Sequence, residues 1–154
     1  MSRSKVVPID GVNYQVSKLP PEEGGFILMR MVGVSMRTAN DDAPKKPTKK
    51  EKEPNVDEKK AVVDGETHVR ALSFMVFSGA IAFADFKFIQ SACMRCIARI
   101  ENRSGVEFPM PVMSDAGEWT DETLVNNIGL VMKLMTEVLV FCFADFFDGG
   151  GKLA

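Results

Sequence analysis

The spacing of apolar and polar residues divides the chain into strands at its start and helices over most of the rest. Residues 5–17 read as a β-hairpin. Asp10-Gly11 suits a two-residue turn whose central positions both need positive φ, and Val12-Asn13-Tyr14-Gln15-Val16 alternates as a strand with one buried face should. Pro8 cannot donate to a ladder and places the first arm at a sheet edge. Leu19-Pro20-Pro21-Glu22-Glu23 then opens a helix, with proline in its first turn and acids against the positive end of the dipole. Phe26–Met36 carries the apolar residues of that helix, weakened by Gly24, Gly25 and Gly33.

A second helical stretch is predicted from Glu66 to Glu101, with a break near Ser78-Gly79 that would divide it into two shorter helices. Residues 103–118 return to loop and strand character and suit a second short hairpin or extended arm. The last helix is expected to open at Thr120 as N-cap, with Asp121 and Glu122 in its first turn. Leu124, Ile128, Val131, Met135, Val138 and Cys142 follow at spacings of four and three, and Leu134, Leu139, Phe143 and Phe146 widen that stripe. Asp148-Gly149-Gly150-Gly151 ends it. The fold class is therefore mainly α (α+β): a helical domain with a short N-terminal β-hairpin and a second short hairpin. Phe83-Ala84-Asp85-Phe86 and Phe143-Ala144-Asp145-Phe146 echo each other, each after an apolar run, which reads as two helices ending on similar packing needs.

The pattern fails between Asn40 and Lys60. Residues 40–54 hold no large apolar side chain, so a mobile charged loop at 40–60 is expected within a single domain spanning 1–154. The 154 residues are 45% hydrophobic and 26% charged with a net charge of −2, a globular balance that predicts neither a nucleic-acid nor a membrane partner. Ala71–Ala84 is shorter than the roughly 20 apolar residues a membrane helix needs. Ile128–Phe147 is long enough, but Lys133 and Glu137 would each cost about 3 kcal/mol at a bilayer centre. The N-terminus has no apolar run of signal-peptide length, and three cysteines, an odd number, suit a reducing compartment. A cytoplasmic protein is expected.

Little of this supports catalysis. Cys93-Met94-Arg95-Cys96 is a C-x-x-C, but it falls near the end of a helical stretch, where the dipole would not lower a thiol pKa. Cys93, Cys96, Cys142 and His68 are the only candidate zinc ligands, without a second C-x-x-C. His68 has no partner in a recognisable nucleophile motif. Asp85 and Asp145 sit in apolar surroundings, where helix-edge roles explain them without acid–base chemistry. Gly149-Gly150-Gly151-Lys152 lacks phosphate-loop spacing and a following helix. No enzyme activity, cofactor or metal is expected. What stands out instead is ten methionines and eleven phenylalanines beside one Trp and one Tyr. Such flexible apolar side chains serve either as adaptable core filler or as a surface that repacks around apolar helices.

Val12-Asn13-Tyr14-Gln15-Val16-Ser17-Lys18-Leu19-Pro20, leading into Phe26-Ile27-Leu28-Met29-Arg30-Met31, and the closing Leu139-Val140-Phe141-Cys142-Phe143-Ala144-Asp145-Phe146-Phe147 resemble the ends of tail assembly chaperones of long-tailed bacteriophages. The lysine-rich insertion and the cysteines of the second helix depart from that pattern. The resemblance implies a protein that binds the apolar, helical tape-measure protein, keeps it soluble and helps recruit tail-tube subunits around it. It also implies homo-oligomers, residence in the bacterial host cytoplasm and absence from the mature virion. The family often makes a longer product by ribosomal slippage, and Gly151-Lys152 could be encoded by a slippery heptamer, which the codons would decide. Phe26, Leu28, Met29, Leu124, Ile128, Val131, Met135, Val138, Leu139, Phe143 and Phe146 are the expected client-binding residues. The competing readings are a small structural tail subunit, such as a terminator or connector, and a redox or metal protein using Cys93 and Cys96.

Overall fold

A computed structural model describes residues 3–41 and 64–148. It is a mixed α+β fold in which the last helix is packed against two other helices, a single helical turn and one strand of the sheet. In chain order the elements are β1 (Ser4–Ile9), β2 (Val12–Ser17), α1 (Pro21–Asp41), α2 (Gly65–Met75) continuing as a π turn (Val76–Ala80), α3 (Phe83–Met94), β3 (Ile97–Arg103), β4 (Val106–Pro111), a single-turn α4 (Glu122–Val125) and α5 (Ile128–Asp148). Most of the charged stretch at 40–60 falls beyond Asp41, outside the described residues, as does the glycine run after Asp148.

The two hairpins join into one antiparallel sheet of order β1-β2-β3-β4, more sheet than the two separate hairpins expected. Each turns on two residues of positive φ, Asp10 (51°) with Gly11 (80°) and Ser104 (55°) with Gly105 (81°), the type I′ geometry that matches strand twist. The hairpins are joined through Tyr14↔Arg99 and Val16↔Ile97. In a hairpin with a two-residue loop the closing pair is hydrogen-bonded and the pairs then alternate. Pro8, Pro109 and Pro111, opposite Asn13, Ile100 and Ala98, therefore occupy positions whose nitrogens face away from the partner strand. Each outer strand thus carries proline at an outward-facing position, which removes donors from the sheet edges at no cost to the ladders.

The predicted helix over Glu66–Glu101 is corrected: it ends at Met94, and Ile97–Arg103 is a strand. Ile97 and Ile100 are spaced as on a helix, but the backbone there pairs with β2 and β4, which local propensity does not register. The expected break near Ser78-Gly79 is present, with Gly79 at φ 98° ending the π turn. The start of the last helix is also corrected. Asp121, not Thr120, is the first cap, its Oδ1 accepting from the Thr123 amide at 3.0 Å, while the Thr120 hydroxyl donates to the Pro111 carbonyl. The chain breaks again at Asn126-Asn127, and Asn127 Oδ1 caps α5 by accepting from the Leu130 amide at 3.1 Å.

α5 is apolar nearly all round, the signature of a helix that is itself the core. Leu130, Val131, Leu134, Met135, Val138, Leu139, Val140 and Phe143 are buried along it. α1 turns Ile27, Met31 and Val34 inward, α2 turns Val69, Leu72 and Val76, and β2 contributes Tyr14 and Val16, all to one hydrophobic cluster. α2 runs antiparallel to α5: Gly65 lies against Ala144, His68 stacks on Phe147, and Arg70 meets Glu137. Glu137 also meets Lys5 of β1 at 3.6 Å, so the one acid in the middle of α5 fastens both neighbours.

The approach at Gly65 is close enough to require glycine. Its amide donates to Asp148, and an added Cβ would lie 1.9 Å from the Ala144 carbonyl oxygen. Gly65→Ala should lower unfolding free energy by about 2–3 kcal/mol, the cost of forcing packed helices apart. Gly33→Ala meets nothing within 4 Å on α1 and should raise it by about 0.5–1 kcal/mol. Urea titrations of the two variants check the contrast, and equal effects would contradict this packing.

Candidate functional site

The structure separates the eleven predicted client-binding residues into two groups. Leu124, Val131, Met135, Val138, Leu139 and Phe143 are buried in the hydrophobic cluster, where α2, α3 and β2 already cover them. In this conformation they are core, and a client could reach them only by opening the fold. A stripe at helical spacing does not distinguish a helix that shows one face to a partner from one wrapped on every side. Phe26, Met29, Ile128 and Phe146 are exposed, and Leu28 is half-buried beside Cys142 and Phe143 in a shallow depression of about 200 Å³.

Further large apolar side chains that the sequence reading did not single out join the exposed set. Phe74 of α2 is 76% exposed and Phe83 at the start of α3 is 78% exposed, with Met36, Phe88 and Val125 also open. The signal for Phe74 was available: it stands off the buried 69-72-76 line of its own helix. Several of these residues gather on two surfaces. On the first, Phe26 of α1 packs edge-on against Phe88 of α3 with centroids 5.0 Å apart. Arg30 lies over the Phe26 ring and reaches Asp85 at 3.7 Å. Met29 and Arg30 border a depression of about 260 Å³ closed by Ile81 and Ala82. Asp85 therefore holds α3 to α1 as an ion-pair partner, consistent with a helix-edge role.

The second surface is a groove of about 420 Å³ between α2, the π turn and α5, with Phe74, Phe77 and Met132 as its apolar lining. Ile128, one turn before Met132 on α5, extends the same line towards the helix start. The π turn places Phe77 here and also brings it edge-on to Phe86 of α3, 6.0 Å between centroids.

The cysteines are arranged against thiol chemistry. Cys93 is buried at the C-terminal end of α3, and desolvation, then the neighbouring Cys96 and Cys142, push its thiol well up. Burial pushes Cys96 up to about 12, and its Sγ donates to the Ala92 carbonyl at 3.4 Å. Cys142 is raised by burial too, though the Leu19 amide, which donates to its Sγ at 3.3 Å, opposes the shift. All three are free thiols. Among the described residues no three His, Cys, Asp or Glu side chains converge as metal ligands, and no helix is long and apolar enough to cross a membrane. His68 is exposed and stacks on Phe147 with centroids 4.5 Å apart, and Asp145 is exposed on α5. No family model, curated protein or solved structure matches the chain.

A thiol whose pKa is raised by folding stabilises the fold while it is protonated in both states. That contribution is lost as pH rises, because the unfolded thiol ionises first, near 9.0, and the folded Cys96 only near 12. The urea midpoint should therefore fall between pH 9 and pH 12, and Cys96→Ala should flatten part of the fall. At pH 8 the native thiols should react with a disulfide reagent about a hundredfold or more slower than in urea, since only thiolate attacks. Fast native labelling would revive the redox reading of Cys93 and Cys96.

Proposed function

We propose that the protein is a tail assembly chaperone of a long-tailed bacteriophage. It binds the apolar tape-measure protein, keeps it soluble and helps recruit tail-tube subunits around it. The supporting observation is what remains uncovered once the core is complete. Phe26, Met29, Phe74, Phe83, Phe88 and Ile128 stay open on helices, while proline removes backbone donors from both outer strands of the sheet. A partner that suits such a surface is helical and apolar, and so is the client that the resemblance of the two chain ends implies. The work such a protein does is reversible burial of apolar area. Action in the host cytoplasm, self-association on the client and departure before the virion is complete belong to the same proposal.

The surface residues taken forward from the sequence are Phe26, Met29, Ile128 and Phe146, with Phe74, Phe83 and Phe88 added. The buried stripe of α5 holds the domain together instead. Co-expression with the tape-measure protein of the same genome should raise the soluble fraction of that protein several-fold. The double variant Met29→Lys with Phe83→Lys should lose most of that gain while keeping the parent's melting temperature, because both side chains are solvent-exposed in the isolated chain. Full rescue by the double variant would remove this surface from the mechanism. Its recovery as a stoichiometric component of purified virions would identify a structural tail subunit instead.

A further inference from the structure

We infer that the groove between α2, the π turn and α5 is the seat for one helical segment of the client, entered by apolar side chains and a carboxylate that pairs with Lys133. The inference rests on the client-binding reading above and specifies the chemistry of its partner.

The groove offers an extended peptide no strand to pair with. Its walls are helices whose backbone groups, except at the helix ends, bond within their own ladders. The two hydroxyls lining it are engaged as donors as well: Ser78 Oγ to the Met75 carbonyl at 2.8 Å and Thr136 Oγ1 to the Met132 carbonyl at 2.9 Å. An occupant must bring a backbone already satisfied within itself, which a helix does and a strand does not. The volume of about 420 Å³ suits a few aliphatic side chains from one helix face, set against Phe74, Phe77 and Met132. The trough lies between two antiparallel helices, so its axis favours a third helix laid along them.

The charges at the lip give that helix a polarity. Glu137 is engaged on both sides, by Arg70 at 2.9 Å and by Lys5 at 3.6 Å, and Arg70 is held again by Glu66 at 2.9 Å. Lys133 is different. Its salt bridge runs to Asp10 at 3.8 Å, with the two side chains 61% and 65% exposed, a pair that holds neither group firmly. An incoming carboxylate gains Lys133 at the edge of an apolar floor. An incoming lysine or arginine meets Lys133 and Arg70, while the nearest acid, Glu137, is already shared between two cations. The groove therefore selects for acid and against base at that position.

The test uses the full chain and two synthetic helical peptides of about 20 residues, long enough to hold a helix in water. Both carry a leucine–alanine face, one flanked by glutamates and the other by lysines. The glutamate peptide should bind more tightly. Lys133→Glu should weaken it about tenfold and reverse the order of the two peptides, as expected when an attractive pair becomes a repulsive one. Phe74→Ser should weaken both. Because Lys133 and Phe74 are exposed, circular dichroism and melting should match the parent. If neither peptide binds and the tape-measure protein is not solubilised, the functional reading fails with the inference. If the tape-measure protein is solubilised but peptide binding ignores Lys133 and Phe74, the groove alone is overturned. If Phe74→Ser converts an oligomer to a monomer, the occupant is a second copy of this chain, which also overturns the inference.

Discussion

Everything in this fold is arranged around the burial of α5. A helix that is apolar on nearly every side must be enclosed, and here α2, α3, α4 and β2 divide its circumference. The most intimate of these contacts is with α2, where Gly65 lets backbone approach backbone and the antiparallel pair stays in register along its length. The polar residues in α5 are used at the seams. Glu137 ties β1 and α2 to it, and Lys133 reaches the turn of the first hairpin. Phe141 lies between the ammonium groups of Lys5 and Lys18, so even the half-buried aromatic face towards the first hairpin is covered by cations.

That enclosure decides where a partner can act. The side chains that look most like a binding stripe in the sequence are the ones the domain needs for its own cohesion. Surface left for a partner lies on the outer lines of α1, α2 and α3 and at the first turn of α5, and it is rich in phenylalanine and methionine. Aromatic pairs such as Phe26 with Phe88 and Phe77 with Phe86 keep these rings ordered without burying them fully.

Much of this was legible in the residues. Asp10-Gly11 specified a turn with two positive φ angles, and alternation placed Tyr14 and Val16 inward. Ser78-Gly79 marked a break, and the spacing from Ile128 to Phe146 marked a long apolar helix. These are local properties: turn chemistry, capping and periodicity act over a few residues and leave their mark in sequence. The strand at Ile97–Arg103 was not legible, because its apolar residues are spaced as a helix would space them and its pairing partner Val16 lies some eighty positions away. Nor was the shift of the last helix start from Thr120 to Asn127, because Asp121 caps a separate single turn before Asn127 caps α5.

The sequence by itself determined the class of the fold and the apolar, methionine-rich character of its helices. Only the tertiary structure decided which apolar residues are interior and which are surface. Periodicity states that a helix has an apolar side, whereas burial depends on how many neighbours reach it. For α5 those neighbours come from β2, α2 and α3, brought together over distances along the chain that no local pattern encodes. The same long-range packing set Phe74, Phe77 and Met132 side by side and left Lys133 at their edge.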